Sequence, residues 1–267
     1  MAAVAQERFS ELTYSVTDGI GTITLNRPSR KNAFTLEMVD AWATALRSAR
    51  TDPEVRVVLV TGSSGSFCAG VDLEDFSQVT TTLGRFEVLQ DRVHRVAAAS
   101  LELDKPLVAA IDGVAVGAGM DMALACDIRL ASTRARFCES YIRVGLLPGD
   151  GGAHLLPRIV GQARALELLW TGRWVDATEA LELGIVTSLH EPDALADAAG
   201  ALCRRLADAP PVAVRAIKRL VRNGERVDFA TSLDMVAAEQ AVVQSTEDST
   251  EAMAAFREGR RPSFSGK

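Results

Sequence analysis

Several patterns are missing from this sequence of 267 residues, and each absence excludes a class of protein. Lys and Arg total 29 against 35 Asp and Glu, a formal net charge of −6, so no general positive excess is available to bind a nucleic-acid backbone. No run of about 18 apolar residues is present to span a bilayer. The start, MAAVAQERFSEL, lacks the basic and apolar segments of a signal peptide. We therefore expect a cytoplasmic protein that binds neither nucleic acid nor membrane.

Cysteine is too sparse and too scattered for a zinc site or a disulfide framework. The four cysteines are Cys68, Cys126, Cys138 and Cys203, and none forms a CxxC pair. No histidine lies near them at the spacing of zinc ligands. Because a free cysteine behaves as a small hydrophobic residue, we expect four reduced thiols in the core and no metal.

Nucleotide-binding signatures are missing as well. The GK[ST] sequence of a P-loop does not occur. The turn Gly117-Ala118-Gly119 would need a third glycine at position 122 to match the dinucleotide pattern GxGxxG, and Met122 stands there. The glycines of this turn therefore need another explanation.

What the sequence does contain is a series of strand patterns. Residues 14–25 alternate around Asp18-Gly19, which predicts a β-hairpin. Residues 55–61, 107–111 and 127–131 are short, mainly apolar runs, typical of strands buried on both faces. Because helical patterns separate these runs, the sequence predicts an α/β fold with a parallel core sheet.

Helical patterns fill the segments between the strands and most of the chain after Gly152. The predicted helix over residues 76–103 has several poor helix formers in its first third. The predicted helices are 35–49, 76–103, 117–125, 164–170, 178–183, 195–206, 212–221 and 232–244. We expect residues 1–200 to form the core and residues 201–267 to form a helical region that packs on it or contacts other subunits.

Two loops rich in small residues carry the strongest functional signal. Residues 66–73 (SFCAGVDL) and 112–119 (DGVAVGAG) each follow a buried strand, and the second loop opens a helix. Small residues let a ligand approach the main chain closely. A helix N-terminus presents unpaired N–H groups and a partial positive charge. Two such donors aimed at one point form an oxyanion hole.

The order of motifs along the chain is more specific than either loop. It runs NRP…KNA at residues 26–33, FCAGVDL, DKPLVAAIDGVAVGAGMDMALACDIRLAS, VGLLPGDGGAHLLPRIVG, LLWTGRWVDATEALELGIV and EAMAAFREGRRPSF. Over nearly the whole chain, this order resembles the crotonase (enoyl-CoA hydratase/isomerase) superfamily. The resemblance implies a spiral of ββα units, an acyl-CoA substrate, no cofactor, and C-terminal helices that form homotrimers, often paired into hexamers.

The resemblance also assigns main-chain and CoA contacts. The thioester oxygen would lie between the N–H groups of Val71 and Ala118, which would stabilise an enolate. Many of the family's CoA contacts are made by the main chain, so the residue type at these positions says little about whether the contact is present. These contacts correspond here to Arg27, Lys31, Ala33, Ala69, Gly70, Asp72, Leu73 and Gly117.

The chain departs from the family at its catalytic acids. Hydratases of the family use two glutamates to activate water and protonate the α-carbon. The corresponding positions hold Asp121 and Tyr141, and a phenol with a pKa near 10 is a poor general base. Asp121 remains a candidate because some isomerases of the family carry aspartate there. Two other carboxylates are candidates: Glu139, which shares a face with Tyr141 on an extended segment, and Asp150.

Each candidate also has a structural alternative. Asp121 would interact favourably with the dipole of its helix, and Glu139 would join an ion pair. Asp150 stands one position after a catalytic aspartate of some isomerases, but would also serve as the N-cap of the next helix. Tyr141 would donate a hydrogen bond or only fill the acyl pocket. His94 and His154 are lone histidines, the kind that is more often structural.

The sequence thus favours an acyl-CoA hydratase/isomerase and leaves the reaction open. Hydration of a 2-enoyl-CoA and migration of a double bond by a single carboxylate both fit. Hydrolysis, decarboxylation or C–C cleavage of a thioester on the same scaffold is an alternative, as is an acyl-CoA binder without activity. No Ser/His/Asp arrangement supports the related Clp-type peptidases.

Overall fold

The computed structural model describes the backbone of residues 6–9 and all of residues 11–267. The other N-terminal residues, which belong to the segment where no signal peptide is expected, lie outside the described residues. The strands are β1 (Gln6–Phe9), β2 (Leu12–Thr17), β3 (Ile20–Leu25), β4 (Val57–Gly62), β5 (Leu107–Ile111), β6 (Val114–Val116), β7 (Ile128–Ser132), β8 (Arg136–Cys138), β9 (Val175–Asp176) and β10 (Ser188–His190).

Helices lie between the strands in the first half of the chain and dominate its second half. They are α1 (Leu36–Thr51), α2 (Leu73–Ser77), α3 (Thr82–Val88), α4 (His94–Glu102), α5 (Ala118–Leu124), α6 (Gly152–Val160), α7 (Gln162–Thr171), α8 (Ala177–Glu182), α9 (Leu195–Ala207), α10 (Pro211–Gly224), α11 (Phe229–Gln244) and α12 (Glu247–Glu258). Within the described residues, none of them combines the length and the apolar character that a bilayer span requires.

The main sheet has the strand order β1-β2-β3-β4-β5-β7-β10. The first three strands are antiparallel, and every later pair is parallel. Asp18 and Gly19 turn the chain between β2 and β3 with positive φ angles, as a tight hairpin requires. Both the predicted hairpin and the predicted parallel core are confirmed.

A second, smaller sheet with the order β6-β8-β9 lies beside the loops that follow β4 and β5. Strand β6 pairs in parallel with β8, which pairs antiparallel with β9. These strands have only two or three residues each, too few to show an alternating pattern, so the sequence did not predict them. A β-bridge between Cys68 and Ala115 connects the first functional loop to β6.

The main sheet is covered on both faces because successive strand residues point to opposite sides. Val58 packs in a large core cluster with Trp42 of α1, while its neighbour Val57 packs in a second cluster with Ala199 and Cys203 of α9. Burial of both faces explains the continuous apolar runs of the parallel strands. The boundary expected between residues 200 and 201 falls within α9, whose two halves both pack on this face.

The predicted helix over residues 76–103 is interrupted. Residues 78–81 separate α2 from α3, and a π-helical turn, Leu89–Val93, joins α3 to α4. The hydroxyl of Thr81 accepts a hydrogen bond from the N–H of Gly84, so this threonine begins a new helix as an N-cap.

The cysteines and tryptophans occupy mixed environments. All four cysteines are buried free thiols, as predicted. Trp42 is buried and Trp170 is exposed. Trp174 is half-buried, with the guanidinium of Arg136 4.5 Å from its ring centroid.

Candidate active site

The two small-residue loops are joined by their main chains. The N–H of Cys68 donates to the carbonyl of Val114 at 2.9 Å, and the N–H of Val116 donates back to the carbonyl of Cys68 at 3.0 Å. Gly70 has a φ of 95°, and a Cβ atom there would lie 2.8 Å from the carbonyl oxygen of Val116 and 3.7 Å from the nitrogen of Ala118. The first loop therefore crosses the start of α5 at a distance that only glycine permits.

The peptide of Val71 is oriented by the residues on either side of it. The N–H of Phe34 donates to the carbonyl of Gly70 at 2.8 Å, and the N–H of Asp72 donates to the carbonyl of Phe34 at 2.9 Å. In such a parallel bridge, the N–H of the middle residue points away from the partner strand. The Val71 amide is thus directed away from Phe34.

Ala118 is the first residue of α5, so its N–H has no acceptor within the helix. The preceding Gly117 has a φ of 50°, and its N–H donates to the carbonyl of Cys138 at 2.7 Å. A Cβ atom on Gly119 would lie 2.3 Å from the carbonyl oxygen of Cys68, so the helix start is pressed against the first loop. The two amides expected to form an oxyanion hole therefore lie where the two loops cross.

Among the expected CoA contacts, Arg27 joins the segment 27–33 to the first small-residue loop. Its guanidinium donates to Glu11 at 3.0 Å, to the carbonyl of Ala33 at 3.0 Å and to Asp72 at 2.5 Å. The hydrogen bond from Arg27 lowers the pKa of Asp72, which keeps this carboxylate ionised. Asp72 also caps α2 by accepting from the N–H of Glu74 at 2.9 Å. Arg27 and Asp72 thus fix the segment 27–33 against the start of α2.

The side chains of the other residues expected to contact CoA differ in exposure. Lys31 and Leu73 are exposed, and Ala33 and Ala69 are half-buried. The N–H of Ala69 donates to the carbonyl of Lys31 at 3.0 Å, which joins the two segments that the resemblance assigned to CoA.

Next to the loops, three of the four candidate catalytic residues form a buried, hydrogen-bonded cluster. The hydroxyl oxygen of Tyr141 lies 2.8 Å from Oδ2 of Asp121 and 2.7 Å from Oδ2 of Asp150. The N–H of Asp150 donates to the same Oδ2 of Asp121 at 3.1 Å. Asp121 is 0% exposed and Asp150 is 3% exposed. The structure thus brings together residues that are 29 positions apart in the chain.

This arrangement requires a shared proton. A phenol has one proton and donates to only one carboxyl oxygen, so the second short contact needs a proton on a carboxyl group. Burial raises the pKa of Asp150 to about 6, and burial also raises the pKa of Asp121. Because Asp121 accepts the N–H of Asp150, we infer that Asp121 carries the negative charge and that Asp150 holds the proton below about pH 6. Burial raises the pKa of Tyr141 as well, so the phenol stays protonated.

Glu139 is the fourth candidate, and it is 2% exposed. Neither of its oxygens receives an N–H or O–H donor from the described residues, so the ion pair considered for it does not form. Burial first, and then the charge of Asp121, raise the pKa of Glu139 well above its usual value. Burial and the neighbouring charge therefore favour the protonated form of Glu139.

Asp150 does not cap the following helix, because α6 begins after Gly151 and has no side-chain cap. Two neighbours of the cluster were not singled out as site residues from the sequence. A Cβ atom on Gly152 would lie 2.1 Å from Oδ1 of Asp121, so any larger residue at this position would clash with the carboxylate. The ring nitrogen Nε2 of His94 lies 2.7 Å from the carbonyl oxygen of Gly149, which places His94 against the same loop. His154, in contrast, is exposed.

Nearly all of the chain matches a known family of enzymes. The matching family is Enoyl-CoA hydratase/isomerase, over residues 15–267. The chain belongs to the enoyl-CoA hydratase/isomerase family. A (E)-benzylidenesuccinyl-CoA hydratase of Thauera aromatica is 35% identical over 260 residues, which cover 96% of this chain and 99% of the relative. A 1,2-epoxyphenylacetyl-CoA isomerase of Escherichia coli is 36% identical over 260 residues, which cover 94% and 97%.

Solved structures of family members share the fold. An enoyl-CoA hydratase from Bacillus anthracis matches with a TM-score of 0.90 at 30% identity and covers 99% of both chains. An enoyl-CoA hydratase from Mycobacterium tuberculosis H37Rv matches with a TM-score of 0.86 at 33% identity and covers 97% of this chain and 100% of the other. The protein therefore has the crotonase fold and is an acyl-CoA hydratase/isomerase, as the sequence predicted.

Proposed function

We propose that this enzyme moves the double bond of an enoyl-CoA, with Asp121 as the base that carries the proton. One observation supports isomerisation above all: the position of the second hydratase glutamate holds Tyr141, whose hydroxyl is already bonded to Asp121 and Asp150. A protonated phenol does not activate water as a base. The cluster therefore offers Asp121 as the base, and a one-base isomerase needs no second one.

The proposed reaction converts a 3-enoyl-CoA into a 2-enoyl-CoA. Asp121 takes a proton from C2: the C–H bond breaks, an O–H bond forms, and the electron pair moves into a dienolate on the thioester oxygen. That oxygen accepts hydrogen bonds from the N–H groups of Val71 and Ala118, which stabilise the developing charge. Return of a proton to C4 leaves the double bond between C2 and C3.

The CoA portion is proposed to lie along the segments 27–33 and 69–73. Asp72 and Arg27 hold these segments together, and Lys31 is exposed beside them, where an ammonium group suits a phosphate. The proposed steps use a carboxylate and two backbone amides together with the thioester itself. We therefore propose that no cofactor takes part.

Hydration of a 2-enoyl-CoA is a second candidate, because Glu139 supplies a protonated carboxyl beside Asp121. The two reactions are separated by incubation of the enzyme with trans-3-hexenoyl-CoA and, separately, with crotonyl-CoA, followed by mass spectrometry and NMR. Formation of 2-hexenoyl-CoA without 3-hydroxyacyl product supports the isomerase. Rapid formation of 3-hydroxybutyryl-CoA supports hydration instead, and binding without any turnover supports an acyl-CoA binder.

We also propose that the chain assembles as a homotrimer or hexamer through the helical region expected at residues 201–267. Helix α11 has 16 residues and no buried one, although an ion pair between Arg219 and Glu239 at 2.9 Å fixes it to α10. Phe229 is 79% exposed and Leu233 is 52% exposed. An apolar helix surface of this kind suits a contact between copies. The cytoplasmic location remains a prediction of the sequence.

A further inference from the structure

A cavity of about 300 Å³ lies at the opposite end of the main sheet from the two functional loops. Arg56 and Lys105 line it, and they stand just before the starts of β4 and β5. The functional loops follow the other ends of the same two strands, and strands of five or six residues span roughly 17–20 Å. The cavity is therefore a separate place in the molecule, remote from the thioester.

Positive charge dominates the walls of this cavity. The cationic side chains that line it are Arg50, Arg56, Lys105 and Arg215. One carboxylate, that of Asp52, also lines it, and this carboxylate accepts the N–H of Glu54 at 2.9 Å. It forms no ion pair with any of the four cations. Because the whole chain has a formal net charge of −6, a local excess of this kind is suited to an anionic ligand.

Lys105 is the most unusual of these cations, because it is only 1% exposed. Its ammonium group donates to the carbonyl oxygen of Ala49 at 2.7 Å and to that of Asp52 at 2.6 Å. An ammonium has three N–H donors, so one of them has no acceptor among the described residues. A lysine is almost never fully buried unless a negative group is paired with it, and no described carboxylate forms that pair. An anion in the cavity would satisfy this ammonium.

Two arginines next to Lys105 are also without a negative partner. Arg215 makes no hydrogen bond or ion pair with any described residue. Burial first, and then the charge of Arg215, lower the pKa of Lys105 to about 8, so the two cations repel each other across the cavity. The guanidinium of Arg56 is fixed by hydrogen bonds to the carbonyl oxygens of Ala207 at 3.2 Å and Phe264 at 2.9 Å. A bound anion would therefore lower the electrostatic energy of all three side chains.

The start of α10 contributes main-chain donors to the same cavity. Pro211 and Val212 line it, and they are the first two residues of this helix of 14 residues. No side chain caps this end, so the N–H groups of Val212 and Ala213 have no acceptor within the helix. A helix N-terminus carries a partial positive charge and favours anions. The cavity thus combines charged and neutral donors.

We propose that this cavity binds a phosphate group, held by Lys105, Arg215 and the first N–H groups of α10. Guanidinium, ammonium and amide donors all suit the oxygens of a phosphate, which accepts several hydrogen bonds at once. Inorganic phosphate and the phosphate of a small monoester share this chemistry. The site is independent of the isomerase function proposed above, because it lies at the other end of the parallel strands.

Calorimetric titration of the full chain with sodium phosphate tests the site, with ionic strength held constant by sodium chloride. Wild type is expected to show saturable binding. Arg215→Ala should weaken it at least about tenfold, because a charged donor is lost, and Arg215→Lys should weaken it less. A parallel titration with methyl phosphate separates the two sources of the group. Binding of the monoester at least as tight as that of phosphate supports a phosphorylated metabolite as the ligand, and weaker binding supports free phosphate.

Three further variants locate the bound phosphate. Arg50→Ala removes an exposed cation of the same cavity and should also weaken binding, which keeps the test decisive if Arg215→Ala does not fold. Arg164→Ala, at an exposed position of α7 outside the cavity, and Lys31→Gln, at the segment proposed for CoA, should leave the affinity unchanged. Absence of saturable binding by the wild type, or wild-type affinity in folded Arg215→Ala and Arg50→Ala, overturns the proposal. Equal weakening by Arg164→Ala or Lys31→Gln overturns it as well.

Discussion

The hydroxyl of Tyr141 lies 2.8 Å from Oδ2 of Asp121, so the aromatic side chain is a hydrogen-bond partner of the candidate base and not only a wall of the acyl pocket. A donor at this distance stabilises the ionised form of Asp121, while burial opposes it. The balance keeps one carboxylate available for proton transfer in a site from which water is largely excluded.

Replacement of Asp121 by Asn should lower turnover of trans-3-hexenoyl-CoA by about 100-fold or more, because an amide cannot take the proton from C2. The amide has nearly the same shape, so binding of CoA should not change. Steady-state kinetics and calorimetric titration with CoA measure the two effects. Turnover equal to that of the wild type would remove Asp121 from the mechanism.

Removal of the Tyr141 hydroxyl by substitution with Phe should reduce the rate less than loss of Asp121 does, because the base remains. The variant loses one hydrogen bond to each of two buried carboxyl groups, which should raise the pKa of Asp121 further. We therefore expect the rising limb of the pH–rate profile to move to higher pH. Stopped-flow or steady-state assays between pH 5 and 9 would show the shift, and superimposable profiles would contradict it.

The functional loops were the part of the site best predicted from the sequence. Gly70 and Gly119 are required where two main chains touch. Such a contact needs a glycine, and a glycine can be seen directly in the sequence. The hairpin and the buried parallel strands were predicted for a similar reason, since each follows from a pattern within a short segment. Strands β6, β8 and β9 have no such pattern because they are too short.

The acid cluster was predicted only in part, because it depends on tertiary placement. Asp150 precedes a helix, and an aspartate in that place is a good N-cap in any sequence. Only the fold shows that Gly151 takes the N-cap position and that Asp150 meets Tyr141. An ion pair was the structural alternative for Glu139, since nothing in the neighbouring sequence reveals that this residue is buried beside Asp121.

Gly152→Ala should damage the site more than an ordinary glycine substitution in a helix. The added Cβ would stand 2.1 Å from Oδ1 of Asp121, so either the carboxylate or the start of α6 must move. We expect lower turnover and a free energy of unfolding reduced by about 1–3 kcal/mol. Gly224→Ala is a matched control, because its added Cβ would lie 3.7 Å from the flexible hydroxyl of Ser232, an ordinary van der Waals distance. Equal behaviour of the two variants would contradict the close contact.

Leu233→Glu should weaken the proposed assembly, because it places a charge on the apolar surface of α11. Sedimentation equilibrium should then show the mass of a single chain at concentrations where the wild type is a trimer or hexamer. Leu233→Met keeps an apolar side chain of similar volume and should preserve the assembly. A wild-type protein that sediments as one chain would refute the proposed oligomer.

Asp150 should make the protein less stable as the pH rises from about 4 to above 6. Burial raises the pKa of this carboxyl from 3.8 to about 6 in the folded state, so the folded chain holds the proton more tightly than the unfolded chain does. The stabilisation is complete below the unfolded pKa and is lost as the pH rises through the folded pKa. The groups that act on Asp150 are Asp121, Glu139, Tyr141, Cys68 and His94, and those that line the cavity beside it include His154 and Arg158.

Asp150→Asn removes this titration. Relative to wild type, the variant should therefore gain about 2–3 kcal/mol in its free energy of unfolding between pH 4 and pH 8, at 1.36 kcal/mol for each pKa unit. Urea denaturation at a fixed protein concentration and at several pH values measures the difference, since assembly also contributes to stability. Asp193→Asn, at an exposed site, should give a curve parallel to that of the wild type. If Asp150→Asn is parallel as well, the buried carboxyl does not carry the proton that the short contacts of Tyr141 require.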